Sequence, residues 1–431
     1  MNYEQTLDYL LTRLPMFSRI GSAAIRKDLV NTITLCERLD NPQQKFRSIH
    51  IAGTNGKGST SHMLAAVLQA AGYKTGLYTS PHLKDFRERI RINGAMIREQ
   101  FVTDFVESLK PVIEAIDPSF FELTVAMAFD YFAKEQVDVA VIEVGLGGRL
   151  DSTNIIQPEI SVITNIGFDH MHLLGNTLEK IAGEKAGIIK PNIPVVIGET
   201  GSESREVFIN AASEKQAAIS FADQCWNIEA TELKARHLTA KAIELSSGRN
   251  FQVSLDLPGI YQLKNLATVL QTLTVLKQRG WKLEDHAIIK GLSQVRALTG
   301  LHGRWEQVSD EPRIILDVAH NEDGILQLTK QLELEHYNRL HCVIGMVKDK
   351  DVAKVLTLLP ANATYYFTKA NIPRALDESE LQQLGAKAGL TGEAYPFIGE
   401  ALKAATDAAT SNDLILICGS VFLVGEVPIK L

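Results

Sequence analysis

The sequence predicts an α/β protein built on a largely parallel sheet, and three observations carry that expectation. Short apolar segments alternate with helix-period stretches over most of the 431 residues. The runs 137–144 and 160–166 are nearly continuous in apolar, mostly β-branched residues, as in strands covered on both faces. A glycine-rich turn, Gly53-Thr54-Asn55-Gly56-Lys57-Gly58, joins an apolar strand to a helix, as at the binding edge of many parallel sheets. Together these imply an N-terminal sheet of the phosphate-loop type with helices on both faces, followed by a smaller C-terminal α/β domain. The boundary is placed near residue 297, giving units 1–297 and 298–431.

The elements follow in order. Residues 1–14 are amphipathic and contain acids and an arginine, unlike a signal peptide. Ile25, Leu29, Ile33 and Cys36 repeat at helical spacing. Ser48-Ile49-His50-Ile51-Ala52 is the first clear strand, and the helix after the glycine turn carries Met63, Leu64, Val67 and Leu68 before stopping at Gly72. A strand covers 74–78, and Asn93-Gly94 reads as a two-residue hairpin turn. Asn176 followed by Glu179 resembles a capping box for the helix holding Glu184 and Lys185. Residues 226–257 alternate in the manner of an antiparallel patch, and 262–278 are helical. Turn residues occupy 296–300, a fresh strand is expected from Arg304, and a second series of strands lies at 314–316, 342–345, 365–368 and 414–418.

Composition narrows the class. A length of 431 fits two or three domains of about 150 residues each. Lys and Arg total 44 against 51 Asp and Glu, a net charge of -7, whereas proteins that live on nucleic acid usually carry a basic excess. With 45% hydrophobic and 22% charged residues the chain can bury a large core. The longest apolar stretch, 414–424, falls short of the roughly 18 residues of a membrane span. Cys36, Cys225, Cys342 and Cys418 are far apart in sequence with no CxxC, so neither a disulfide framework nor a zinc site is indicated. The expectation is a cytoplasmic protein, monomeric by default, without nucleic acid or membrane as a partner.

The strongest chemical signal is Gly53-Thr54-Asn55-Gly56-Lys57-Gly58-Ser59-Thr60. Glycines let successive N–H groups point at an anion, and the following helix adds partial positive charge. Lys57 can reach β- and γ-phosphates, with Ser59 or Thr60 near the usual metal position. The bland alternative is a strand-to-helix turn with an exposed lysine. The spacing departs from G-x-x-x-x-G-K-[ST], because Gly53 is too close to Lys57 and Gly58 is inserted. A nucleoside triphosphate needs magnesium, and three candidate ligand groups sit at strand ends: Ser80 in Thr79-Ser80-Pro81-His82, Glu143, and Asp169-His170. Alone, each reads as well as a helix cap or a structural histidine. In the loop 143–154, glycines permit close approach while Arg149, Asp151, Thr153 and Asn154 supply donors and acceptors; a polar turn is its alternative.

The order GTNGKGS, TSPHL, ERI, IEVGLGGRLDSTN, FDH, GEKAGI, GR-W-E and D-x-A-H-N resembles the folylpolyglutamate synthase/dihydrofolate synthase branch of the Mur ligase family, from about Ile49 to Gly425. The resemblance implies that unit 1–297 is an ATP-binding domain with a folate or pterin site, and that 298–431 closes on ATP and glutamate. It implies that Lys57 and the backbone of 53–60 hold the ATP phosphates, and that Ser80, Glu143 and His170 meet magnesium. Lys185 matches a lysine that becomes carbamylated to support a second metal, so Lys57, His170 and Lys185 would form the catalytic set. Gln262 and Asn265 match a segment near the nucleotide base, while Tyr261 stands where many relatives carry histidine. Arg304 and Asp317 match ATP-contacting positions. Asp151 matches a pterin-contacting acid; Arg149, Thr153, His320 and Ser420 are the further substrate candidates, with 345–351 another matching segment. A monovalent cation such as K+ is an additional expectation.

The chemistry is consistent with this. A carboxylate will not condense with an amine at neutral pH until its oxygen becomes a better leaving group, and γ-phosphoryl transfer supplies one. The expected activity is ATP-dependent joining of L-glutamate to dihydropteroate and to the γ-glutamyl tails of reduced folates. The alternatives are an enzyme of the second reaction only, another Mur-family amino-acid ligase, a generic phosphoryl-transfer enzyme, or a non-catalytic nucleotide-binding module.

Overall fold

The computed structural model describes all residues except Ile25, Lys27, Asp349, Lys350 and 429–431. Ile25 of the N-terminal repeat, and Asp349 and Lys350 of the 345–351 segment, therefore lie outside the described residues.

Eight strands form the first sheet: β1 (Arg47–Ala52), β2 (Thr75–Tyr78), β3 (Ile90–Ile92), β4 (Ala95–Met96), β5 (Val139–Glu143), β6 (Ile160–Ile163), β7 (Val195–Ile197) and β8 (Ile219–Phe221). Their order is β4-β3-β2-β5-β1-β6-β7-β8. Pairing is parallel from β2 to β8, and the β3–β4 hairpin turning at Asn93-Gly94 adds an antiparallel edge. Alternation along the strands feeds two cores. Ile49, Ile51, Val139 and Val141 pack with Met63, Leu64 and Val67 of the helix Lys57–Ala70, and with Leu266 and Leu270 of the helix Gln262–Gln278. Ala140, Ile142 and Tyr78 pack with Val102, Val106, Leu123 and Met127 of the helices Glu99–Ile116 and Phe120–Lys134.

Three antiparallel strands, β9 (Trp226–Lys234), β10 (His237–Glu244) and β11 (Asn250–Leu255), bury Leu238, Ala240, Val253 and Leu255 in the first of these cores, behind the helix Gln262–Gln278. The third sheet contains β12 (Glu306–Asp310), β13 (Arg313–Leu316), β14 (Leu340–Ile344), β15 (Thr364–Phe367), β16 (Thr391–Ala394) and β17 (Leu414–Cys418), in the order β12-β13-β17-β14-β15-β16. Only β12 runs antiparallel to its neighbour. Among the described residues no helix is long and apolar enough to cross a membrane.

Several local expectations need correction. The helix Leu178–Ala186 is capped by Thr177, whose hydroxyl accepts the N–H of Lys180; Asn176 instead receives the Lys180 ammonium, so there is no Asn176–Glu179 capping box. Residues 296–300 are not simply a turn, because Val295–Thr299 is a short helix. The Asp256 carboxylate accepts the N–H groups of Val295 and Arg296, a cap supplied from far away in sequence. The strand expected from Arg304 begins at Glu306, since Gly303 and Trp305 both take positive φ in the preceding turn. Ile33 is 42% exposed; the buried face of the helix Val30–Arg38 is Thr32, Leu35 and Cys36. The run 160–166 leaves the sheet after Ile163, because 164–167 turns to bind the glycine loop. Two of the cysteines are neighbours after all, with Cys342 and Cys418 Sγ atoms 3.9 Å apart on adjacent strands and both thiols free.

The helix Asp285–Ser293 lies on the helix Lys57–Ala70 at Gly291, where a Cβ would come within 2.5 Å of the Val67 Cα. Gly291→Val should therefore destabilise the protein by about 1–3 kcal/mol, read as a lower denaturant midpoint at unchanged slope.

Candidate active site

The strand order places β1 between β5 and β6, so the chain leaves β1 on one side and returns on the other. In open α/β sheets the carboxyl ends of strands at such a switch point are where ligands bind. The glycine loop, Glu143 and the 164–170 segment all emerge there.

The loop is fastened on one side and open on the other. Thr54 donates its N–H to the Asn165 carbonyl at 3.0 Å, and Asn55 donates to Asn165 Oδ1 at 2.8 Å. Thr54 Oγ1 exchanges hydrogen bonds with Gly167, donating to its carbonyl at 3.1 Å and accepting from its N–H at 3.0 Å. Thr164 Oγ1 donates to the Asn55 carbonyl at 2.5 Å, and a side chain at Gly53 would collide with that same hydroxyl. The amides of Thr54 and Asn55 are thus engaged within the protein, which leaves the cradle to residues 56–59. Gly56 (φ 81°) is the N-cap of the helix Lys57–Ala70, and no side chain caps that helix. Its first N–H groups are therefore offered to an anion. Gln262 braces the helix, its Nε2 donating to Ser59 Oγ at 3.2 Å, and Asn265 lies against Gly56 and donates to Gln262 Oε1 at 2.8 Å.

Charge converges on the same turn. Lys57 Nζ donates to the carbonyls of Gly53 and Thr54, both at 3.0 Å, and Lys185 Nζ donates to Gly53 at 2.9 Å. Lys185 is only 3% exposed; burial and the neighbouring Lys57 charge push its ammonium down to about 7, against the pull of Asp169 and Asp151. Burial raises the Glu143 carboxyl above its ordinary range, opposed by Lys57, the Ser80 N–H at 3.1 Å, Arg304 and Arg89. A Cβ on Gly58 would lie 3.3 Å from Arg304 Nη2 and 3.9 Å from Glu143 Oε2, so the inserted glycine marks where an arginine of the C-terminal unit approaches loop and carboxylate.

The structure brings together Lys57, Ser80, Glu143, Lys185 and Arg304. His170, left-handed at φ 49°, follows Asp169 and meets the Phe17 ring edge-on at 5.5 Å. Among the described residues no three His, Cys, Asp or Glu side chains form a nest for a metal ion. A cation beside Glu143 would depend on hydroxyl and phosphate oxygens, which suits magnesium, a metal that takes one or two carboxylates plus substrate phosphates. On the helix that follows the loop, Thr60 Oγ1 is buried without a hydrogen-bond partner.

The substrate candidates are more dispersed. Asp151 is buried and accepts the N–H groups of Leu146 at 2.8 Å and Thr153 at 3.0 Å, and the Thr153 hydroxyl at 2.5 Å; burial raises its carboxyl. It thereby shapes the glycine-rich loop, where the Phe121 ring presses on Gly145. Thr153 Oγ1 also meets His50 Nε2 at 2.9 Å, and Arg149 turns outward to Glu184 at 2.8 Å. Ser420 caps the helix Val421–Gly425.

His320 Nε2 lies 3.4 Å from Asp169 Oδ2. Beside it Asn321 forms a reciprocal amide pair with Asn55, at 3.0 and 3.3 Å, and also donates to Asp169 at 3.3 Å. Asp317 accepts the Ala319 N–H at 2.8 Å, the Trp305 N–H at 2.9 Å and the Tyr261 hydroxyl at 2.7 Å. Asn321 and Arg89 are not singled out in the sequence, although both lie within motifs that are. Asp169 is read there only as half of a candidate ligand pair with His170, and Tyr261 only as standing where many relatives carry histidine.

The Mur ligase middle domain family matches residues 51–273, and the Mur ligase glutamate ligase domain family matches 303–421. The dihydrofolate synthase/folylpolyglutamate synthase of Bacillus subtilis is 36% identical over 404 residues, covering 91% of this chain and 92% of that one. The structure of Escherichia coli FolC in complex with DHPP and ADP superposes with a TM-score of 0.85 at 32% identity, covering 99% and 97% of the two chains. The bifunctional folylpolyglutamate synthase/dihydrofolate synthase of Yersinia pestis, complexed with AMPPNP and a Mn ion, gives 0.83 at 30% identity over 99% and 97%.

Two glycines of the loop should respond differently to one methyl group. Gly56→Ala forces a left-handed alanine against Asn265 and should cost about 1–3 kcal/mol. Gly58→Ala meets only the movable end of Arg304 and should alter stability by less than about 1 kcal/mol. Paired urea titrations compare them directly.

Proposed function

As a member of the Mur ligase family, in its folylpolyglutamate synthase/dihydrofolate synthase branch, this chain is an ATP-dependent acid–amino-acid ligase, and we propose that it joins L-glutamate both to dihydropteroate and to folate γ-glutamyl tails. The observation that carries the reading is the uncapped helix start at 56–59, flanked by Lys57 and Lys185 and facing Glu143 and Arg304. The units are taken as 1–297 and 298–431, with ATP between them, in a cytoplasmic monomer that uses neither nucleic acid nor membrane. No residue is assigned to a monovalent cation.

The triphosphate lies against the N–H groups of 56–59, with Lys57 released from its carbonyls onto the β- and γ-oxygens. The acceptor's carboxylate oxygen takes the γ-phosphorus, and the bond from that phosphorus to ADP breaks. Glutamate's amine then attacks the acyl carbon, losing a proton as phosphate departs. Both steps gather negative charge, which the preset helix N–H groups stabilise together with Lys57 and Arg304. Magnesium, held through Ser80 and Glu143 with phosphate oxygens, would supply Lewis-acid neutralisation of that charge. Gln262 and Asn265 keep the loop in register. Arg304 and Asp317 contact the nucleotide, His320 receives glutamate, and Ser420 lines the same side. Asp151, with Thr153 and Arg149, forms the acceptor loop.

Lys185 has the character needed for carbamylation. Burial and the Lys57 charge hold its ammonium well below the ordinary lysine range, so a neutral amine is present near pH 7 and can add to CO2, forming an N–C bond with loss of a proton. The resulting carboxylate, with His170, would complete the second metal position.

ADP release with Mg·ATP and glutamate, run separately with dihydropteroate and with a reduced folate, tests the central claim; turnover with one acceptor alone removes the other half. Lys57→Ala should lower kcat by about 10²–10³-fold while leaving the thermal midpoint nearly unchanged, because the side chain meets oxygen atoms and not core. Stripping dissolved CO2 and bicarbonate should lower the rate reversibly, and an unaffected rate would remove the carbamate.

A further inference from the structure

The segment leading into the helix Gln262–Gln278 touches both units at once. Towards the C-terminal unit, Ile260 donates its N–H to Gln331 Oε1 at 2.7 Å, and the Tyr261 hydroxyl donates to Asp317 Oδ2 at 2.7 Å. Towards the glycine loop, Gln262 donates to Ser59 Oγ and Asn265 lies on Gly56. The helix is backed along its length by the core shared with β9–β11, so these contacts share one rigid body. Tyr261 cannot swing freely, because its ring lies over Gly259, where a Cβ would come within 2.8 Å of the ring carbons.

Asp317 is the group through which this bracket meets the nucleotide. Phosphate oxygens are acceptors, and so is a carboxylate, so Asp317 can take a hydrogen bond only from the nucleoside end, from a hydroxyl or an amino group. A carboxylate has about four lone-pair positions. Three are filled, on Oδ1 by Ala319 and on Oδ2 by Trp305 and Tyr261, which leaves one direction on Oδ1. Removing the phenol would free a second direction and loosen the carboxylate's aim.

We propose that Tyr261 is a positioning residue that holds Asp317 in the orientation that receives the nucleoside, and so fixes the nucleoside end of ATP relative to phosphates bound at 56–59. This rests on the reading that nucleotide lies between the two units. Tyr261 thereby governs affinity for nucleotides and not for bare polyphosphate. Burial and the adjacent carboxylate raise the phenol's pKa well above its ordinary value, so its donor role persists across the working pH range.

Calorimetry with ADP and with inorganic tripolyphosphate, both with magnesium, tests this on the full chain. Tyr261→Phe should weaken ADP by about fivefold or more, leave tripolyphosphate within about twofold, and raise the KM for ATP while kcat stays within about twofold. Tyr261→His restores a donor and should recover ADP affinity, with a variation between about pH 6 and about pH 8 added to that of the parent. Equal losses for both probes would mean a merely structural role and overturn the proposal, as would ADP affinity unchanged by Tyr261→Phe. If Tyr261→Phe does not fold, the histidine variant decides, and a pH profile identical to the parent's overturns the proposal. Failure of the parent chain to bind ADP would instead overturn the nucleotide reading.

Discussion

The site depends on the fastening of the glycine loop to the segment after β6. Asn165 takes up the amides of Thr54 and Asn55, Thr164 donates to the carbonyl of Asn55, Gly167 exchanges hydrogen bonds with the Thr54 hydroxyl, and Gly53 has no side chain to obstruct Thr164. Without these bonds the first amides of the turn would compete with the later ones for any anion. With them, the curl is committed before ligand arrives, and only the helix start remains available. Such advance organisation lets hydrogen-bond donors act without reorganising as charge develops. The same fastening explains why β6 is short: its last residues leave the sheet to hold the loop.

A second consequence is the way the units meet. Arg304 reaches Gly58, Asn321 pairs with Asn55, and Tyr261 reaches Asp317. Each contact joins a residue of the loop, or of the helix bracing it, to the turn before β12 or the segment after β13. The C-terminal unit is thus docked on the glycine loop and the helix bracing it, so the geometry of the loop and that of the interface are one problem.

Much of this was legible in the sequence wherever the determining signal is local. The switch from strand to helix period around 53–57 sets β1, the loop and the helix start; Asn93-Gly94 sets the hairpin; 262–278 matches its helix end to end. Some errors are local, such as the cap at Thr177 and not Asn176, but others arise where a distant residue decides. Asp256 caps the Val295 helix from about 40 positions away, and Asp317 holds the Trp305 turn that delays β12. Candidate residues fared similarly. Glu143 is legible as an acid ending a buried strand, whereas the use of Asp151 to shape its own loop, the outward turn of Arg149, and the bond from Tyr261 to Asp317 depend on packing that no local pattern encodes.

The resting place of Lys57 has a thermodynamic meaning. Its ammonium already sits between two backbone carbonyl oxygens. On the proposed reading, an arriving phosphate would have the cation trade one set of oxygens for another, so part of its dehydration cost has been met during folding. Carbonyls and guest compete for one ammonium, and a guest that also reaches the uncapped helix start gains donors that the carbonyls cannot offer.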